Sequence, residues 1–177
     1  MSDQLPEYID PWRLADRRSQ LRGQWTLDRF ARLRGVLADS AGTLEVELDF
    51  SVGVKRRPAI EGKLSTELAL ICQRCMQVFL YPLQLDLSLV VVESEDECDL
   101  LPEDVDPVLA QDGRLNLLQM VEDEILLAIP QAPLHKPQDC NVKVDQLADE
   151  TNQPSEPPKE NKKNPFEILT GFKAEKT

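Results

Sequence analysis

A chain of 177 residues holds one domain of ordinary size plus tails, which excludes a large multidomain enzyme. A hydrophobic fraction of 41% supports a core, yet aromatics at 5% and 13 prolines place part of the length outside dense packing. Acidic residues number 32 against 20 Lys and Arg, and the net charge of -12 argues against a uniformly basic, RNA-coating surface while leaving room for a local basic patch.

The opening MSDQLPEYIDPWRLADRR lacks the order of a signal peptide, and no apolar run approaches the roughly 18 residues of a membrane span. A cytoplasmic protein without a membrane partner is the expectation. Residues 11–36 then carry seven arginines, Arg13, Arg17, Arg18, Arg22, Arg29, Arg32 and Arg34, against Asp16 and Asp28, a local balance of +5. Charge runs are usually solvated or internally paired faces, and that is the plainer reading. The guanidinium fork also suits phosphate, so these seven are the RNA-binding candidates.

Thr26 as N-cap, with Leu27, Phe30, Leu33 and Leu37 at near-helical spacing, predicts a helix that ends by the turn signals of residues 39–42. Residues 1–42 therefore read as an arginine-rich helical N-terminal region of the main domain. From Thr43 the period becomes two: Leu44, Val46, Leu48 and Phe50 alternate with Glu45, Glu47 and Asp49, as in a half-buried strand. A charged connection, VKRRPAIEG, leads to a second strand with Leu64, Thr66, Leu68, Leu70 and Cys72 on one face. CQRC forms a hairpin-like turn, and a third strand follows with Leu83, Leu85, Leu87, Leu89 and Val91 aligned; Pro82 marks a boundary or an edge. Three such strands need a helix over their apolar side, so the fold class is α+β, an antiparallel sheet covered by helices.

Residues 93–128 hold twelve acidic side chains against Arg114, a balance of -11. A polar loop is the simplest role for Glu95, Asp96 and Glu97, and docking of a basic protein partner is the sharper one. Asn116 and Gln119 form a capping box for a helix with Leu118, Val121, Ile125 and Ala128 inward and Gln119, Glu122 and Asp123 outward; Pro130 and Pro133 end it. Glu124, near the stripe's edge, reads first as a surface carboxylate and second as an anchor for a buried or interfacial contact. Residues 43–148 thus supply sheet, acidic loop and covering helix, residues 149–164 a disordered linker, and residues 165–177 a short docking tail with Phe166, Ile168 and Leu169.

Four cysteines are too few for a disulfide framework, and a reducing compartment favours other uses. Cys72-x-x-Cys75 has the spacing of half a zinc site, and His135 and Cys140, in a Pro-bounded loop after the helix, can complete a Cys₃His set. Unligated reduced thiols beside an exposed His135 rank first, structural zinc second, and a thiol redox pair last, because the cysteines do not open a helix after a strand. Cys98, among acids, is the least attractive ligand. No cofactor is fixed by these residues alone. No phosphate-binding glycine loop, HExxH or GxSxG is present, so a non-enzymatic scaffold or binding role ranks above an enzyme.

The ordered set IDPWRLADRR, CQRC, LNLLQMVEDEILLAIPQAPLH and NPFEIL resembles the bacterial YceD family of large ribosomal RNA subunit accumulation proteins, over nearly the whole chain. That resemblance implies a cytoplasmic assembly factor for synthesis, processing or stability of large-subunit (23S) ribosomal RNA in ribosome biogenesis. Its partners would be the precursor large subunit, its rRNA or ribosomal proteins, and not DNA; oligomeric state stays open. The alternatives are an acidic adaptor or chaperone for a basic ribosomal protein without RNA contact and, last, an RNA-processing enzyme. Some relatives carry extra late cysteines where this chain offers His135 and Cys140, so a mixed metal-ligand set and a lost site are both open.

Overall fold

The structure, a computed structural model, describes residues 5–103 and 105–140. In chain order these form β1 (Tyr8–Ile9), α1 (Pro11–Asp16), β2 (Gln20–Thr26), β3 (Thr43–Val52), β4 (Pro58–Ile71), β5 (Val78–Val92), α2 (Glu95–Cys98), β6 (Asp106–Leu109), β7 (Leu115–Asn116) and α3 (Leu117–Ala128). The main sheet has the order β2-β3-β4-β5-β6, and β1 pairs separately with β7. Every neighbouring pair is antiparallel except β5 and β6, which run parallel after the acidic crossover. The α+β expectation holds. No helix among the described residues is long and apolar enough to cross a membrane.

Alternation sets the sheet's two faces. Leu44, Val46, Leu48 and Phe50 of β3 and Leu64, Leu68 and Leu70 of β4 are buried, while Glu45, Glu47 and Asp49 face solvent. β4 starts earlier than expected, at Pro58, because Ile60 belongs to the buried alternating set; the turn before it shrinks to residues 53–57. Gly62 lets β3 and β4 close up here, since a Cβ would lie 2.5 Å from the Glu47 carbonyl oxygen and 2.5 Å from Leu48 Cδ2. β5 passes through Pro82 without a break. Pro82 pairs with Glu67 on one side, and β6 begins only opposite Leu89, so the missing N–H lies on an edge stretch.

α3 is capped as expected, with Asn116 Oδ1 accepting from the Gln119 backbone N–H at 3.0 Å. Leu117, Met120, Val121 and Ile125 enter the core, whereas Leu118 and Ala128 are half-buried. Trp25, Phe30 and Phe50 are buried in the same core as these residues, with Trp25 and Phe30 edge to face at 5.9 Å.

Two expectations fail. Residues 1–42 are not mainly helical: α1 is a short helix capped by Asp10 with Pro11 at its first turn, and Gln20–Thr26 is a strand in which Leu21, Gly23 and Trp25 alternate with exposed polar residues. The expected helix from Thr26 is two 3₁₀ turns, Leu27–Arg29 and Leu33–Gly35, and Thr26 makes no side-chain cap. The cause is the second failure. Glu122 does not face outward; it is 7% exposed, and its Oε1 accepts from the backbone N–H of Arg32 at 2.7 Å and of Leu33 at 3.2 Å. An α-helix would need those N–H groups for its own carbonyls, so α3 and an uninterrupted helix cannot both have them.

Candidate metal centre

The β4–β5 turn carries Cys72 and Cys75, and its backbone is closed by Cys72 N–H to the Gln77 carbonyl at 2.9 Å and Met76 N–H to the Cys72 carbonyl at 2.9 Å. Met76 takes φ 58°, a left-handed value that tightens the turn after the second cysteine. Beyond α3, Pro130 and Pro133 carry the chain back across this turn, and Gln73 N–H donates to the Pro133 carbonyl at 2.9 Å. His135 and Cys140 then arrive on the same side. The ligand atoms of Cys72, Cys75, His135 and Cys140 all lie within 4.8 Å of one another.

Tetrahedral zinc, with sulfur at about 2.3 Å and nitrogen at about 2.0–2.1 Å, implies edges of roughly 3.5–3.8 Å, so four ligand atoms within 4.8 Å of one another need to draw together by no more than about 1 Å to hold one ion. Cys75 Sγ and His135 Nδ1 are already 3.3 Å apart. Cys72 is fully buried and Cys140 nearly so, and Phe79 packs a ring on His135 at 4.7 Å. Burial pushes the Cys72 thiol up, but the backbone N–H groups of His135, Cys75 and Arg74, with the His135 ring, outweigh it and bring it down to about 5. Burial pushes Cys75 up, and the Cys72 and Cys140 sulfurs add to this against the Gln77 backbone. A Cys₃His cluster capable of holding a metal is therefore present. Cys98 lies apart on α2, with its sulfur 3.8 Å from the Ser94 carbonyl oxygen.

The arginine candidates divide. Arg32 spans Glu122 at 3.0 Å and Asp123 at 2.5 Å; Arg29 lies 3.7 Å from Glu7 and over the Trp25 ring. Arg22 is opposite Glu47 in the β2–β3 register. Arg13, Arg17, Arg18 and Arg34 are exposed. Arg17 and Arg18 stand where Ser19 accepts the Phe50 N–H, the end of the sheet at which β3 turns into β4 through Lys55, Arg56 and Arg57. The connection expected between the two strands is thus a basic turn, and its three consecutive cations are the signal for it in the sequence. Among the acidic candidates, Glu95 and Asp96 are exposed, while Glu97 is drawn inward to Arg57 at 2.5 Å and to the Glu93 N–H at 2.8 Å. Arg57 first, then that N–H, holds the Glu97 carboxyl below its ordinary range. Phe166, Ile168 and Leu169, with the expected linker and tail, lie outside the described residues.

The family described as large ribosomal RNA subunit accumulation protein YceD matches residues 60–173. A Haemophilus influenzae protein described by the same words is 30% identical over 170 residues, covering 96% of this chain and 96% of that protein. No solved structure matches.

Proposed function

Because the chain belongs to the YceD family of large ribosomal RNA subunit accumulation proteins, we propose that it is a non-enzymatic, cytoplasmic factor of ribosome biogenesis that supports large-subunit ribosomal RNA. The family match carries the ribosomal part of this reading. Direct contact with precursor RNA is its finer part, and the basic end of the sheet supports it. Arg18, Lys55 and Arg56 hold φ of 48°, 51° and 60°, left-handed positions that glycine or asparagine fills more cheaply. Cations kept there at a cost of about 1 kcal/mol each point to a use for their charge. Arg17, Arg18 and Arg56 are the contact residues of this proposal, and Lys55 and Arg57 brace the turn against the Leu100 carbonyl and Glu97.

Binding of large-subunit precursor RNA, measured across salt concentrations, tests it. Replacing Arg17, Arg18 and Arg56 by alanine should weaken affinity and lower the salt slope by about 2–3. Unchanged affinity and slope would remove RNA contact from the reading while leaving the family role in place.

Zinc is the ion this donor set suits, being borderline-soft and content with three thiolates and an imidazole. Cys72, Cys75, His135 and Cys140 would hold it, and it would supply a cross-link between the β4–β5 turn and the segment after α3. Protein purified under reducing conditions should carry near-stoichiometric zinc, and Cys72→Ser with Cys75→Ser should lose it. Wild-type protein without near-stoichiometric metal would reject the site.

A further inference from the structure

The strand register orders the solvent face of the main sheet into rows. Arg22, Glu47, Lys63 and Asp86 stand side by side across four strands, alternating in sign, with Lys63 Nζ 3.8 Å from Asp86. These charges offset one another. One row away Asp49 faces Glu61 directly, a like-charge pair that destabilises a sheet and that folding alone does not explain. On the other side come Glu45 and then Glu67, both exposed. The middle of this face is a shallow depression of about 690 Å³ that includes Arg22, Glu45, Glu47, Lys63 and Asp86. At the cysteine end the same face turns apolar: Ile71 pairs with Val78, and these and Leu80 are 37%, 58% and 63% exposed.

We infer that this face docks a lysine- or arginine-rich extended segment of a protein partner. Its cations lie over Asp49, Glu61, Glu45 and Glu67, and an apolar side chain sits on Ile71, Val78 and Leu80. From Glu61 to Ile71 the strand covers ten steps, about 33 Å, so roughly ten extended residues span the face. The carboxylate excess repels phosphate, which sets this surface against RNA and gives the protein a protein-facing side distinct from its basic end. On α2, Glu97 is already committed to Arg57, while Glu95 and Asp96 remain exposed. The inference stands independently of RNA contact.

Fluorescence anisotropy with the full chain tests it at low salt, using a labelled ten-residue synthetic peptide with lysine at its first, third and fifth positions, leucine at its seventh and ninth and serine between, so that lysines and leucines share one face of the extended chain. Glu45→Gln, Asp49→Asn and Glu61→Gln together should weaken binding about tenfold. Leu80→Ser should weaken it about threefold, as should replacing the peptide's leucines by serine. The same triple variant should keep a melting temperature equal to or higher than wild type, because the Asp49–Glu61 repulsion is removed, so lost binding cannot be lost folding. Neutralising Glu95 and Asp96 on α2 instead should change affinity less than twofold or so. The inference fails if the peptide does not bind, if the α2 variant weakens binding as much as the sheet variant, or if RNA binding falls in the sheet variant. It also fails if the protein self-associates and the sheet variant abolishes that association.

Discussion

Replacing Glu122 by alanine takes away the acceptor shared by the Arg32 and Leu33 backbone N–H groups, at 2.7 and 3.2 Å, and the partner of Arg32 Nε at 3.0 Å. The Leu33 N–H is buried and has no route back to water, and the Arg32 N–H is partly buried. A hydrogen bond to a charged group is worth about 1.5–3 kcal/mol, so the two backbone bonds set the scale. The guanidinium contributes less, under about 1 kcal/mol, because the Arg32 side chain is 48% exposed and screened by solvent. Glu122→Ala should therefore cost about 3–5 kcal/mol, or roughly 10–15 °C in melting temperature for a domain of this size. Arg32→Ala should cost no more than about 1 kcal/mol, since its backbone N–H keeps its acceptor. Glu122→Gln retains an acceptor oxygen and should fall between them. Chemical denaturation of the three variants under one set of conditions measures the differences. If Glu122→Ala costs no more than Arg32→Ala, the carboxylate is a surface ion-pair partner and not the group that organises residues 27–35.

Gly62→Ala should destabilise by about 1–3 kcal/mol in the same denaturation assay, because its Cβ meets a backbone carbonyl and Leu48 at 2.5 Å and must spread β3 from β4. Glu124 has its carboxyl pushed up by burial first and by Asp106 and Asp123 next, so the folded state binds the proton more tightly than the unfolded state and stability falls as pH rises through that raised range. Glu124→Gln should accordingly raise the melting temperature at neutral pH, with the gain vanishing below the ordinary glutamate value of about 4.3. Glu97 has the opposite sign: its depressed carboxyl contributes above the ordinary value and the contribution is lost as pH falls through the folded one, so Arg57→Ala should flatten the acid limb of a melting-temperature profile. Chelation should lower the melting temperature of wild type and leave a Cys72→Ser, Cys75→Ser variant unmoved, read by thermal melts with and without chelator.

The β3, β4 and β5 strands and the capped α3 were legible because alternation and capping are local patterns. β2 was legible too, since Leu21, Gly23 and Trp25 have period two, but the apolar spacing of Leu27, Phe30, Leu33 and Leu37 drew the reading toward a helix. All of Leu27, Phe30 and Leu33 are indeed buried; they reach the core from 3₁₀ turns instead. The buried Glu122 lies four residues after Leu118 and three before Ile125, so helical spacing alone could have put it on the inward face. A glutamate's charge argued otherwise, and its partners are ninety residues away in sequence.

Local pattern alone marks which segments alternate, where α3 begins, the three cysteines and one histidine of the metal set and the split of charge along the chain. Tertiary structure decided what those groups meet. The hairpin and the proline-bounded return of the chain after α3 bring His135 to 3.3 Å from Cys75, a closure across sixty residues that no spacing rule contains. Strand register decided which charges share a row, because shifting a strand by one residue would turn its carboxylates to the core. Arg32 was readable as a cation and Glu122 as an anion, but only packing made them partners and left Arg17, Arg18 and Arg56 exposed at the far end of the sheet.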